Sequence, residues 1–168
     1  MTAVCYGSCA IALLAALLVV TQRHAMHALL NLIVMLLALG LAFFALGAPF
    51  VAVLQVVIYA GAIMILFVFV VMMLNVPTAV RQEGLWQAGR AWLMPGVLAL
   101  ALLGLGLYAL PGLRTEAAGV VSPKQVGLSL YREYLLGVEL VSLILTAGLA
   151  AAFHLAPPPR RREEVGDA

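Results

Sequence analysis

The stretch VAVLQVVIYAGAIMILFVFVVMML, Val51 to Leu74, runs its whole length without a charged side chain. About twenty such residues suffice for a helix to cross roughly 30 Å of hydrocarbon. Four further apolar runs flank it, three of them charge-free (Ala3–Val20, Ala25–Leu46 and Ala91–Leu110) and the fourth, Tyr134–Leu155, carrying the single charge of Glu139. Each is continuously apolar rather than alternating, which favours helices over a membrane barrel. The reading is an all-α integral membrane protein with five transmembrane helices. Residues 1–155 are taken as a single membrane domain and 156–168 as a disordered cytoplasmic tail.

Composition agrees with a lipid-facing chain. Of 168 residues, 65% are hydrophobic and 10% charged, whereas a soluble domain is nearer half apolar and a quarter charged. Mean hydropathy is +1.15. The net charge of +2 comes from scattered residues, which argues against nucleic-acid binding. Cys5 and Cys9, the only cysteines, read as small membrane-helix residues rather than a disulfide, lipid anchor or metal pair. The first apolar stretch lacks the basic flank of a cleaved signal and reads as a retained helix.

Basic residues set the expected orientation. Arg23, Arg81, Arg90, Arg160, Arg161 and Arg162 fall on one side, and Arg114, Lys124 and Arg132 on the other, six against three. The positive-inside rule then places the N-terminus outside and the C-terminus in the cytoplasm. Trp86 and Trp92 suit the headgroup layer beside the inner loop. Gly47-Ala48-Pro49 reads as a tight outer turn, with Pro49 opening the third span where its missing N–H costs nothing. Pro77 follows that span. Pro111 to Arg132, rich in Gly, Ser and small residues, reads as an outer loop. No internal repeat stands out.

Polar side chains inside spans are costly and therefore informative. Asn31 falls in the second span, Gln55 and Tyr59 in the third, and Glu139 in the fifth. Gln55 and Tyr59 are four apart and share a helix face. Tyr59 lies ~12 Å below Val51 and Glu139 ~8 Å below Tyr134, so all three occupy the outer half of the bilayer. Glu139 reads either as a proton-relay or gating carboxylate, or as an interfacial one, neutral or paired with Arg132. Gln55 alone reads as an interhelical hydrogen-bonding residue.

Tyr59-Ala60-Gly61-Ala62 has two readings. Small residues permit close helix packing; they also leave room for a π-bulge, a rare feature that frequently marks functional sites. Periodicity does not separate the two. Phe67 and Met72, further along, read as helix-packing residues, although aromatic and Met side chains also suit a quinone. His24, His27 and His154 read as interfacial histidines, because haem ligation between helices would place them deeper. No nucleotide, flavin or iron–sulfur motif is present, and no metal ligand set is assigned.

At the third span the residues resemble a known family. Gly47 through Asn75, with LQVVIYAGAIMILFVFVVMMLN at its centre, is similar to subunit J of bacterial NADH:quinone oxidoreductase (respiratory complex I), the counterpart of mitochondrial NADH dehydrogenase subunit 6. HALLNLIVMLLALGLAFFALGA (27–48), SPKQVGLSLY (122–131) and GVELVSLILTAGLAAAFHL (137–155) extend the resemblance over nearly the whole chain.

The resemblance implies five helices and a place in the membrane arm of a proton-translocating enzyme of the bacterial inner (plasma) membrane, among the other membrane-arm subunits and membrane lipid. It implies no redox centre in this chain, with FMN, iron–sulfur clusters and the quinone site in neighbouring subunits. It further implies a π-bulge near Tyr59 and Gly61, flanked by Ala60 and Ala62, whose conversion to α-helix couples quinone chemistry to proton movement. Some relatives carry Glu where this chain has Gln55, and a glutamine does not change charge, so no proton-carrying role is expected there. A small transporter would need paired repeats and several midplane charges, which the sequence lacks. A purely packing subunit is the third reading.

Overall fold

The computed structural model describes residues 2–22, 25–73, 86–110 and 121–156, with side chains in the third stretch from Leu93 onward. Expectations for Arg23, His24, Arg81, Pro77, Arg114, Arg160, Arg161, Arg162 and the tail from residue 157 lie outside the described residues, as do those for the side chains of Trp86, Arg90 and Trp92. The described residues are all helical apart from turns and short ends, with no strand among them.

Six helices follow in order: α1 (Thr2–Thr21), α2 (Ala25–Ala45), α3 (Pro49–Met73), α4 (Trp86–Ala109), α5 (Pro123–Arg132) and α6 (Leu135–Leu155). α1, α2, α3 and α6 are long and apolar enough to cross a membrane, and α4 contributes the apolar stretch Leu93–Ala109. These match the five expected spans to within a few residues, except that α4 starts five residues early and carries Pro95 inside it. The residues form two compact units, Met1–Ser122 and Pro123–Ala168.

The first unit is organised by small residues. The buried positions of α1 are Val4, Ser8, Ala12 and Ala15; those along one face of α2 are Asn31, Val34, Ala38 and Ala42. Both sets recur at three- and four-residue steps, so each forms one stripe. Lipid tails are as apolar as leucine, so helices associate here through close packing rather than the hydrophobic effect. Alanine and serine let the backbones approach, while the large side chains point outward: Leu13, Leu14 and Leu17 are all exposed.

Gly40 lies on the opposite side of α2, against α3. A Cβ there would stand 3.1 Å from Cγ2 of Val56 and 3.6 Å from the carbonyl oxygen of Ala52.

The turn between α2 and α3 is a Schellman motif. The N–H of Ala48 donates to the carbonyl of Phe43 and that of Gly47 to the carbonyl of Phe44, both at 3.1 Å. Gly47 has φ 81°, and nothing would crowd a Cβ there, so the backbone angle alone calls for glycine. Pro49 then opens α3 as expected.

One expectation is corrected. The segment Pro123–Arg132, read as loop, is the helix α5. Gly127 and Ser129 suggested a turn, but Pro123 opens the helix at its first position. Ser129 turns its hydroxyl back onto the carbonyls of Gln125 and Val126, at 3.1 and 3.0 Å, so it does not compete with the helical register.

Candidate functional site

α3 is not one regular helix. It is α-helical over Pro49–Leu54, π-helical over Gln55–Ile63, and α-helical again over Met64–Met73. The N–H of Gln55 still bonds to the carbonyl of Val51, four back, as well as to Ala52. By Met64 the N–H reaches Tyr59, five back, and also Gly61, passing over the carbonyl of Ala60. The two readings left open by Tyr59-Ala60-Gly61-Ala62 are thereby separated in favour of the π-bulge.

Sequence explains why this segment is permissive. Val56, Val57 and Ile58 are β-branched and weaken the α register slightly. Gly61 then relieves a close approach, because a Cβ there would lie 3.3 Å from the carbonyl oxygen of Val56, five residues back. That contact belongs to the π register, which draws the fifth carbonyl toward residue 61.

Burial shows what the register accomplishes. Within Gln55–Ile63 only Gln55 is buried, at 9% exposure, and Met64, immediately after, is 2% exposed. At 3.6 residues per turn, positions nine apart lie about 180° round a regular helix. Two π turns each take up nearly one residue more than an α-turn, which returns Met64 to the side of Gln55. The π segment is thus held by two buried side chains, one at each end, with its middle facing outward. Gln55 and Tyr59 were expected to share a face, yet Tyr59 is 51% exposed. Ala60 and Gly61 are half-buried, and Ala62 is exposed.

Phe67 and Met72 are exposed, so their packing partners are not supplied by the helices of the first unit. Glu139 lies in α6, in the second unit, and is exposed. Cys5 and Cys9 are free thiols. His27 is half-buried near the start of α2 and His154 is exposed near the end of α6.

Sequence reading missed Ser8, Gly40 and Met64. Ser8 and Gly40 had a legible signal, each standing among further small residues (Gly7 and Cys9; Ala38 and Ala42) on an apolar span; Met64 had none.

Asn31 is fully buried. Its Nδ2 donates to the carbonyl of His27 at 3.1 Å, while Oδ1 has no donor among the described residues. A buried amide half satisfied in this way contributes little, since membrane hydrogen bonds average ~0.6 kcal/mol and an unmet acceptor costs about 1–3 kcal/mol. Asn31→Leu is therefore expected to leave the melting temperature of the purified protein in its native assembly unchanged or raised. Asn31→Asp, which buries a carboxylate, should lower it clearly. A large loss in the leucine variant would show that Oδ1 carries an essential bond.

Comparison with known proteins places these features. A family model described as NADH-ubiquinone/plastoquinone oxidoreductase chain 6 matches residues 15–155. The NADH-quinone oxidoreductase subunit J of Pseudomonas aeruginosa is 49% identical over 155 residues, covering 89% of this chain and 93% of that one. Its counterpart in Escherichia coli strain K12 is 44% identical over 160 residues, covering 94% and 85%. That of Buchnera aphidicola from Schizaphis graminum is 41% identical over 153 residues, covering 89% and 94%. The family match runs from the middle of α1 to the end of α6 and takes in the whole π segment, and the chain belongs to the NADH-ubiquinone/plastoquinone oxidoreductase chain 6 family.

Proposed function

We propose that this chain is a membrane subunit of a proton-translocating NADH:quinone oxidoreductase, and that α3 couples quinone reduction to proton pumping by changing backbone register. The observation that carries the reading is the π segment Gln55–Ile63, held at its ends by buried Gln55 and Met64. In this reading the helix has two states. Reverting the whole segment to α-helix turns Met64–Met73 by roughly 180° relative to Gln55. That re-aims Phe67 and Met72 against neighbouring subunits. Tyr59, Ala60, Gly61 and Ala62 form the deformable part, and Gln55 anchors it without carrying a proton.

The chain supplies no redox centre in this reading. Flavin, iron–sulfur clusters and quinone belong to other subunits, and two cysteines are too few for the four thiolates of a usual cluster. The assembly sits in the bacterial inner membrane, with the N-terminus periplasmic and the C-terminus cytoplasmic, a placement supported by the six-to-three distribution of basic residues.

Mild-detergent purification of the tagged chain from its own membranes tests the assignment. Flavin and iron–sulfur absorbance are expected to co-purify with inhibitor-sensitive NADH:quinone activity. A chain that purifies alone and moves ions across vesicles would overturn it.

A further inference from the structure

α5 (Pro123–Arg132) sorts its side chains onto two faces, which the apolar membrane helices do not. At ~100° per residue, Val126, Gly127, Leu130 and Tyr131 fall within an arc of ~140°. Gln125, Ser129 and Arg132 fall on the opposite side, with Leu128 the one apolar residue beside them. Lys124 stands at the border of the two faces, next to Tyr131.

The second unit fixes the depth of this helix. α6 is apolar enough to cross a membrane over its 21 residues, and at ~1.5 Å per residue it spans ~31 Å, the thickness of the hydrocarbon. Leu135 therefore stands at the edge of that layer. Only Glu133 and Tyr134 separate it from α5. The chain bends at Tyr134, whose φ is −112° and ψ 25°. The N–H groups of Glu133 and Tyr134 both turn back to the carbonyl of Ser129, at 3.0 and 3.2 Å. α5 thus ends beside the hydrocarbon edge, and its 10 residues are too few to cross it.

The side chains suit that depth. Leu130 is 41% and Tyr131 69% exposed, so the apolar face is open. Tyr131 and Tyr134, both exposed, combine an apolar ring with a hydroxyl, the chemistry favoured at the headgroup layer. With the apolar face turned into the acyl chains, Lys124 stands level with the lipid phosphates. Its stem runs along apolar surface while the ammonium reaches the charge. Arg132, on the opposite side, then meets water.

We infer that α5 lies flat in the membrane interface where α6 begins, with Val126, Leu130 and Tyr131 against acyl chains and Lys124 on a phospholipid phosphate. The occupant of the face is lipid, because depth, an apolar arc about two turns long, bordering tyrosines and a border lysine together make the pattern of a helix lying on a bilayer. α5 then holds the first residue of α6 at a fixed height. The inference requires only that α6 crosses the membrane, and so goes beyond the function proposed above.

The test uses the full chain in its own membranes, with photoreactive p-benzoylphenylalanine at position 130 or, on the opposite face, at position 125. Cross-linked products are identified by mass spectrometry and normalised to the amount of chain in the membrane. Position 130 is expected to yield phospholipid adducts at several times the level from position 125. A protein segment as the main product at 130, or equal lipid yields at the two positions, overturns the inference. Lys124→Glu, which sets a carboxylate against the phosphates, should lower the lipid yield at 130 severalfold. Lys124→Gln, which removes the charge without reversing it, should lower it less and serves where the glutamate variant does not accumulate. An unchanged yield in the variant that accumulates overturns the phosphate contact.

Discussion

Gly61→Val is expected to leave the chain assembled while cutting the proton pumping obtained per NADH oxidised by about tenfold. In the π register a Cβ at 61 stands 3.3 Å from the carbonyl oxygen of Val56, and a branched side chain adds bulk beyond it. Such overpacking costs typically ~1–3 kcal/mol. The α register moves that carbonyl away, and the propensity cost of a β-branched residue there is below ~0.7 kcal/mol. The balance favours α over π, and every ~1.4 kcal/mol shifts the ratio of states tenfold. No atom of another described helix lies within 4 Å of a Cβ at 61, so assembly should be spared. Proton uptake by inverted vesicles, normalised to NADH oxidation and to subunit content, reads the effect. Full coupling in an assembled variant would remove the functional role proposed for the segment.

Gly40→Leu should do the reverse, removing the assembled complex and leaving little to assay. Here the obstruction is partly backbone. A Cβ at 40 meets Cγ2 of Val56 at 3.1 Å and the Ala52 carbonyl at 3.6 Å. The valine methyl is able to shift by a few tenths of an ångström, but the carbonyl belongs to α3 itself. A leucine therefore separates α2 from α3 and frees the buried Gln55 anchor. Gly40→Ala tests the grading, because it needs only the valine to move and should keep most of the complex. Native gel electrophoresis of solubilised membranes measures the amount assembled. If Gly40→Leu accumulates at the wild-type level, α2 and α3 do not pack as closely as described. The contrast matters more than either variant alone, since a purely packing subunit would lose assembly at both positions.

Much of this was legible in the sequence because lipid is a demanding solvent. Long apolar runs with at most one charge marked the membrane helices, and Gly47 followed by Pro49 marked the turn from α2 to α3. The π segment was not decidable, for a physical reason. Register is read from which side of a helix is polar, and after Tyr59 the run to Leu74 carries no polar side chain, so an added residue per turn leaves no trace in the pattern. Tyr59 and the small residues after it located the anomaly without choosing between packing and bulging. Met64 went unremarked because its burial follows from the π register. α5 was missed because Gly127 and Ser129 carry the chemistry of a turn.

Whether α3 has two backbone registers is best tested by electron cryo-microscopy of the assembled complex, at rest and during turnover with NADH and quinone. The expected result is two classes of particle. One holds Gln55–Ile63 as π-helix with Met64 buried, and the other holds it as α-helix with Met64–Met73 turned by roughly 180°, their ratio changing with turnover. A single π register in both samples, in a complex that pumps normally, would contradict it.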